Sequence, residues 1–542
     1  MSQTTQKEFG KWRSLLWPVH NFELKKLLPM FFMFFLISFN YTILRDTKDS
    51  LLVTAPGSGA EAIVFLKLWG VLPFAVLFML IYSKLSNRLS KEKLFYATIT
   101  PFLVFFALFA FLIYPMRESL HPHAFADTLQ GILPAGLKGF VALIRNWSYS
   151  LFYIMAELWG SVALSLVFWG FANDIMKVNE AKRFYAVLGL GANIALPVSG
   201  SLIVHFSDIR KTLPAGADAW GTTLNSLMTL VVVAGVLVMG IYYWMNRNVL
   251  NDKRFYNPAE VKQKKSKPKM SMKESFSYLL KSKYIGCLAI LVIAYGISIN
   301  IVEVTWKSQL KLAYPNPNDY STFMGKFSFM TGIVTSFMML FVGGNVVRKF
   351  GWRTAALITP ITLLATGAIF FSVVLFKGSL TGLIASLGTS PLMLAVVIGM
   401  IQNIMSKSSK YSLFDPTKEM AYIPLDQESK VKGKAAIDVV GARLGKSGGS
   451  LLQMVLIATL GSVSAIIPYV GIILFAIIAA WIIAVNALNK RFLEAQAAKE
   501  AESEDEAEVK APEVASKAAT KKVAATAKKK TAAAKKEATP AS

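Results

Sequence analysis

The 542-residue sequence has a single cysteine, Cys287, and only four histidines: His20, His121, His123 and His205. One thiol excludes an intramolecular disulfide. The histidines sit in loops or at the ends of apolar runs, with no metal-ligand spacing, so neither a metal nor a cofactor is expected. Charge is sparse too, at 17% of residues against 54% hydrophobic, and the mean hydropathy is +0.47. A water-soluble chain of this length is more polar. The period-two alternation of membrane barrel strands is missing. No cleavable leader is visible, since MSQTTQKEFGKWRS is polar and leads into a full-length apolar run. There is no catalytic triad and no nucleotide-hydrolysis loop: GKSGGS at 445–450 would need a glycine at 440, where the chain has Val440. An enzyme is therefore not expected.

What the sequence has is repeated apolar runs of about twenty residues, the length of a membrane-spanning helix. Twelve are read, at 27–45, 62–83, 94–114, 148–172, 184–204, 225–244, 284–305, 323–344, 355–376, 391–408, 435–458 and 464–487. The formal net charge of +26 would suit a nucleic-acid partner, but most lysines and arginines follow the even-numbered spans. That is the signature of cytoplasmic loops, so both termini are expected in the cytoplasm and no nucleic acid is expected as a partner.

The predicted organisation is a cytoplasmic N-terminus (1–26), a six-helix bundle (27–244), a basic cytoplasmic linker (245–283), a second six-helix bundle (284–487) and a tail (488–542). The tail is rich in alanine, lysine and glutamate without apolar periodicity, and reads as disordered. The bundles echo each other. Ile37-Ser38-Phe39-Asn40 matches Ile297-Ser298-Ile299-Asn300, and Ile99-Thr100-Pro101 matches Ile358-Thr359-Pro360. Gly191-Ala192 followed by Gly200-Ser201-Leu202 matches Gly441-Ala442 followed by Gly449-Ser450-Leu451. Three matches in the same order predict an all-α, major-facilitator-like membrane protein of two parallel six-helix repeats with a midplane site.

Three apolar runs carry a fixed charge: Glu157, Glu303 and Lys446. A charge at that depth costs about 2.5–3.5 kcal/mol on insertion scales, which favours a polar path over accident. Lysine within the path suggests an anionic cargo. Glu157 is read as a gate or coupling residue, with a structural carboxylate as the alternative. Glu303 stands nearer a membrane end, where an interfacial role competes evenly. Arg443 shares a helix face with Lys446, and Asp438 could pair with them. Arg45, Asp46, Lys48 and Asp49 crowd the end of the first span, either as a solvated helix end or as a charged rim of the cavity. Lys67 and Lys326 are possible helpers, and Asn40 and Asn300 stand at repeated positions. For a base, Tyr149, Phe152, Phe168, Trp169 and Asn193 are available.

At RDTKDSLLVTAPGSGAEAI, AELWGSVALSLVFWGFAN, NIVEVTWKSQLK, KEMAYIPLDQESKVKGKAAIDVV and LGKSGGSLLQ the chain resembles the nucleotide transporters of obligate intracellular bacteria and plastids. The resemblance covers about residues 20–490 and excludes the tail. It implies an ATP/ADP antiporter of the bacterial inner membrane that works by alternating access, with a proton-coupled nucleoside triphosphate symporter as the rival. The lipid bilayer and the two nucleotides are the implied partners, and a monomer is expected. The family's essential lysine, two glutamates and second lysine fall on Lys48, Glu157, Glu303 and Lys446.

Overall fold

The computed structural model describes residues 19–176, 178–214, 216–252, 254–256, 282–386, 388–425, 427–437 and 441–498. The described residues are helical throughout the membrane region. The spans are α1 (Leu24–Val53), α2 (Ala60–Arg88), α3 (Lys91–Ile113), α4 (Trp147–Ile175), α5 (Val178–Ser207) and α6 (Ala219–Asn248). The second half has α7 (Lys283–Ala313), α8 (317–350), α9 (352–375), α10 (Pro391–Met420), α11 (Ala442–Leu460) and α12 (Val463–Ala498). Helices α8 and α9 run on from each other, and the break between them is Gly351, whose φ of 77° a residue with a Cβ adopts only with strain. Among the described residues this is a twelve-helix, major-facilitator-like arrangement.

Local sequence starts these helices. Ser90, Asp218, Ser282, Asn316 and Ser390 each accept a hydrogen bond from a backbone N–H of the first turn that follows. Pro317 and Pro391 then occupy first-turn positions, where a missing N–H has no cost. Pro101 and Pro360, which share a motif, lie inside α3 and α9.

Two spans outrun their expected ends. Helix α10 was expected to stop at 408 but continues to Met420 through a π turn at Lys410–Phe414. The serines that lower its hydropathy return their hydroxyls to the helix, Ser409 to Met405 O and Ser412 to Ser408 O. Helix α12 continues past 487 to Ala498, so the expected tail begins as helix. Strong helix formers follow the apolar stretch, and Phe492 stacks on Trp352 at 5.1 Å. The remainder of the tail and most of the 245–283 linker lie outside the described residues.

Helix α1 packs on α4, α5 and α6, and α7 packs on α10 and α11. The halves meet mainly along α5 with α8, and through α2 with α7 and α11. Close approach of α5 to α8 rests on small residues. A Cβ on Gly200 would stand 2.5 Å from Gly325 O, and one on Gly332 would stand 2.3 Å from Pro197 Cδ.

The near face of the bundle is the one from which α1 starts, and the far face the one at which it ends. The hydrogen bonds between the halves gather in the far half. Asn318 donates to Ser207 O and to Thr223 Oγ1, Ser207 meets Ser321 at 2.9 Å, and Arg210 pairs with Asp319 at 2.6 Å. Toward the near face, Leu72–Arg88 of α2 has no buried residue, so this stretch stands away from the other half. Among the described residues the polar contacts between the halves thus lie on the far side of the midplane.

Candidate functional site

The far half of α1 carries its charges indoors. Asp46, Lys48 and Asp49 are 0%, 3% and 1% exposed. Charges so buried persist only when paired. The pairs form one chain of contacts across the protein. Glu157 Oε1 of α4 accepts from Lys48 Nζ at 3.0 Å, and Lys48 also donates to Asp49 Oδ1 at 2.9 Å. Asp49 Oδ2 accepts from Lys307 Nζ of α7 at 2.7 Å, and Lys307 donates to Glu303 Oε1 at 3.0 Å. The order Glu157–Lys48–Asp49–Lys307–Glu303 therefore starts in one half and ends in the other.

Helix geometry explains the placement. Glu303 and Lys307 are four apart, on one face of α7. Tyr153 and Glu157 are likewise four apart on α4, and both hold Lys48, whose Nζ lies 3.7 Å from the Tyr153 ring centroid. Glu157 is ten residues into α4 and Glu303 ten from the end of α7, so each is about 15 Å from the far face and near mid-membrane. They are the open ends of the chain: the Glu157 and Glu303 side chains are 30% and 21% exposed, while Lys307 is 2% exposed. A second crossing lies beside it, where Arg45 pairs with Asp46 at 2.9 Å and donates to Ser328 of α8 at 2.7 Å.

More lysines surround the two glutamates. Lys67, at the start of a π turn in α2, interacts electrostatically with both. Lys446 is exposed and acts on Glu157 from the other half. Lys407 of α10 acts on Glu303. Five lysines (48, 67, 307, 407, 446) thus face three carboxylates (49, 157, 303), leaving a site that attracts anions.

The other expected residues fall into several places. Asn40 donates to Val231 O at 2.8 Å and ties α1 to α6; Asn300 donates to Lys446 O and Ser450 Oγ and ties α7 to α11 behind Lys446. Asn193 sits on the seam, donating to Gly189 O and to Met339 Sδ of α8. Lys326 is exposed on α8 and acts on Asp208. Tyr149 is 6% exposed and lies in an aromatic group with Tyr114 and His121, ring centroids at 6.1 and 4.8 Å. Burial there lowers the His121 pKa to about 4, and its Nε2 meets Ser148 Oγ at 2.6 Å. Phe152 and Phe168 are fully buried. The Arg443 side chain and Asp438 lie outside the described residues. Among the described residues no cluster of histidine, cysteine and carboxylate could hold a metal ion.

Neither Lys307 nor Lys407 stands out in the sequence: the first lies two residues past the expected span end at 305, the second one residue before the expected end at 408. Both stand at the ends of apolar runs whose helices continue, α7 to Ala313 and α10 to Met420. The four-residue spacing of Glu303 and Lys307 was the signal for the first. The second had none, because SKSSK looks like a helix end.

Residues 2–492 match the profile of the family described as TLC ATP/ADP transporter. The chain is 65% identical over 502 residues to "ADP,ATP carrier protein 1" of Chlamydia muridarum (strain MoPn / Nigg), covering 93% of this chain and 95% of that one. It is 54% identical over 483 residues to "ADP,ATP carrier protein 2, chloroplastic" of Arabidopsis thaliana, covering 89% of this chain and 77% of that one. Among solved structures, a bacterial homologue of the iron transporter ferroportin in an inward-facing state aligns with a TM-score of 0.50 at 14% identity, over 86% of this chain and 99% of that one. That last likeness is one of fold alone.

Proposed function

The chain belongs to the TLC ATP/ADP transporter family, and from that premise we propose that it exchanges ATP for ADP across a membrane by alternating access. We further propose that it does so in a bacterial inner membrane, with both termini in the cytoplasm. The near face is then cytoplasmic. The observation that carries the reading is the ion-pair chain from Glu157 to Glu303, which joins the halves at the depth where a transported anion would bind.

In the empty carrier each glutamate holds one lysine: Glu157 holds Lys48 and Glu303 holds Lys307. A nucleotide polyphosphate entering from the near face brings several negative charges that compete for the same ammonium groups. Lys48 and Lys446 then neutralise phosphate from opposite halves. Drawing on Lys48 and Lys307 weakens the Asp49–Lys307 crossing, one of the contacts that hold the far side shut. A loaded site lets the halves rock; an empty one leaves glutamates and lysines clamped to each other. That asymmetry makes transport an obligatory exchange, driven by the opposing nucleotide gradients with no ion gradient required.

The test is uptake of labelled ATP into liposomes containing the purified protein, with ADP or buffer alone inside. Uptake that needs internal ADP and ignores a proton ionophore is expected. Uptake into ADP-free liposomes that collapses with the ionophore would overturn exchange in favour of proton-coupled import, with Glu157 or Glu303 as the proton site.

A further inference from the structure

The offset of 250 residues that carries Gly191-Ala192 onto Gly441-Ala442 also carries Glu157 onto Lys407. The backbone repeats with it. In α4 a π turn starts three residues after Glu157, at Gly160; in α10 one starts three residues after Lys407, at Lys410. Such turns interrupt the regular register of a helix and gather at functional sites. The two helices thus present an acid in one half and a base in the other at the same place relative to their π turns.

Lys407 lies sixteen residues into α10, about 24 Å from the far face, so it is inside the span but about 9 Å closer to the near face than Glu157 and Glu303. It is half-buried, and its Nζ stands 4.7 Å from the ring centroid of Phe327, itself 1% exposed and packed on Trp306 at 4.9 Å. Among the described residues no carboxylate forms an ion pair with it. The acids that act on it are Glu303 and Asp46. Glu303 is already held by Lys307 at 3.0 Å, and Asp46 by Arg45 at 2.9 Å. Lys67 and Lys446 likewise have no ion pair, yet both act on Glu157. An ammonium inside a membrane span without a counter-charge is costly, and a fixed aromatic face beneath it offsets only part of that cost. Three such lysines around one site are short of anions in the empty protein.

We propose that Lys407 is a further phosphate-binding residue of the nucleotide site, and that with Lys67 and Lys446 it sets how many phosphate charges the carrier accepts. The inference rests on the nucleotide-exchange reading. A triphosphate or diphosphate satisfies all three unpaired lysines, whereas a monophosphate leaves at least one uncompensated in the membrane interior. Charge count, rather than contact with the base, then separates ATP and ADP from AMP.

The experiment is calorimetric binding of ATP, ADP, AMP and inorganic tripolyphosphate to the purified native protein and to Lys407→Gln and Lys407→Arg. In the glutamine variant ATP and tripolyphosphate are expected to bind at least about ten-fold more weakly, ADP less so, and AMP nearly as in the native protein. The slope of log affinity for ATP against log salt should also fall, and arginine should restore most of the ATP affinity. Unchanged ATP affinity in Lys407→Gln overturns the proposal, as does equal weakening of all ligands with no rescue by arginine, which assigns Lys407 to packing. Native protein that binds none of the nucleotides strikes the exchange reading instead. Should the glutamine variant not fold, amine labelling of native protein read by mass spectrometry decides: ATP should protect Lys407 where adenosine does not, and labelling indifferent to ATP overturns the assignment.

Discussion

Lys307 Nζ donates to Asp49 Oδ2 at 2.7 Å, both side chains 2% exposed, and this ion pair joins α7 to α1 across the two halves of the carrier. Breaking one partner of such a buried pair costs about 3–5 kcal/mol in the state that holds it. Asp49→Asn should therefore shift the population toward the state open at the far face and slow exchange by more than about ten-fold. Distances between spin labels on α2 and α11 report the shift. Unchanged distances and unchanged exchange would show that the crossing is incidental.

Lys446 projects from α11 with no ion pair among the described residues, and its backbone is anchored through Asn300. Lys446→Ala should cut ATP affinity by about ten-fold or more while leaving membrane insertion and thermal stability as they are. Binding titration alongside a melting curve checks this, and normal exchange in the variant removes Lys446 from the site.

Glu157→Gln keeps the shape of the side chain but not its charge. Lys48 retains Asp49 at 2.9 Å, so the fold should survive. What is lost is the competitor that phosphate displaces. The variant should bind ATP at least as tightly as the native protein and turn over more slowly, a fall in kcat with no rise in KM. A rise in KM at constant kcat would instead make Glu157 a contact for the substrate.

Gly200 faces Gly325 O so closely that a Cβ would stand 2.5 Å from it, with backbone on both sides and nothing free to yield. Gly200→Val should force α5 from α8 and prevent closure of the far face. A cysteine placed at position 321 on the seam should then become reactive to a water-soluble thiol reagent, whereas in native surroundings Ser321 is fully buried.

Trp306 is fully buried, and its indole Nε1 donates to Val396 O at 2.9 Å, fastening α7 to α10 beside the site. Trp306→Phe removes that hydrogen bond, while the Val396 carbonyl keeps its place in the helix, and should lower stability by about 0.5–1.5 kcal/mol, read as a lower Tm in detergent. Lys307 and Glu303 ride on the same turn, so an unaltered Tm with impaired exchange would mark Trp306 as a positioning residue.

Hydropathy made most of the architecture legible, because a bilayer demands long apolar helices and the chain has few ways to hide them. The repeat was legible because Pro101 and Pro360, and Asn40 and Asn300, keep equivalent places. Helix ends were not. Lys307 and Lys407 were passed over because they stand where hydropathy falls away, while a helix continues wherever its backbone and its polar groups find partners inside the protein. Tyr149 was a reasonable choice for a base on composition, yet it belongs to an aromatic group near the far face.

By itself the sequence determined that this chain crosses a membrane many times, that it does so as two related halves, and that charges sit at depth where only a polar path can keep them. Those properties follow from local composition, spacing and the cost of a charge in hydrocarbon. Which charges meet was decided only in three dimensions. Lys48, Glu157, Lys307 and Glu303 are spread over 260 residues, and their pairing depends on how α1, α4 and α7 pack. Asp49 becomes the bridge between halves because its carboxylate has two oxygens, one for each lysine, at a point where α1 and α7 bring Asp49 Oδ2 and Lys307 Nζ within 2.7 Å.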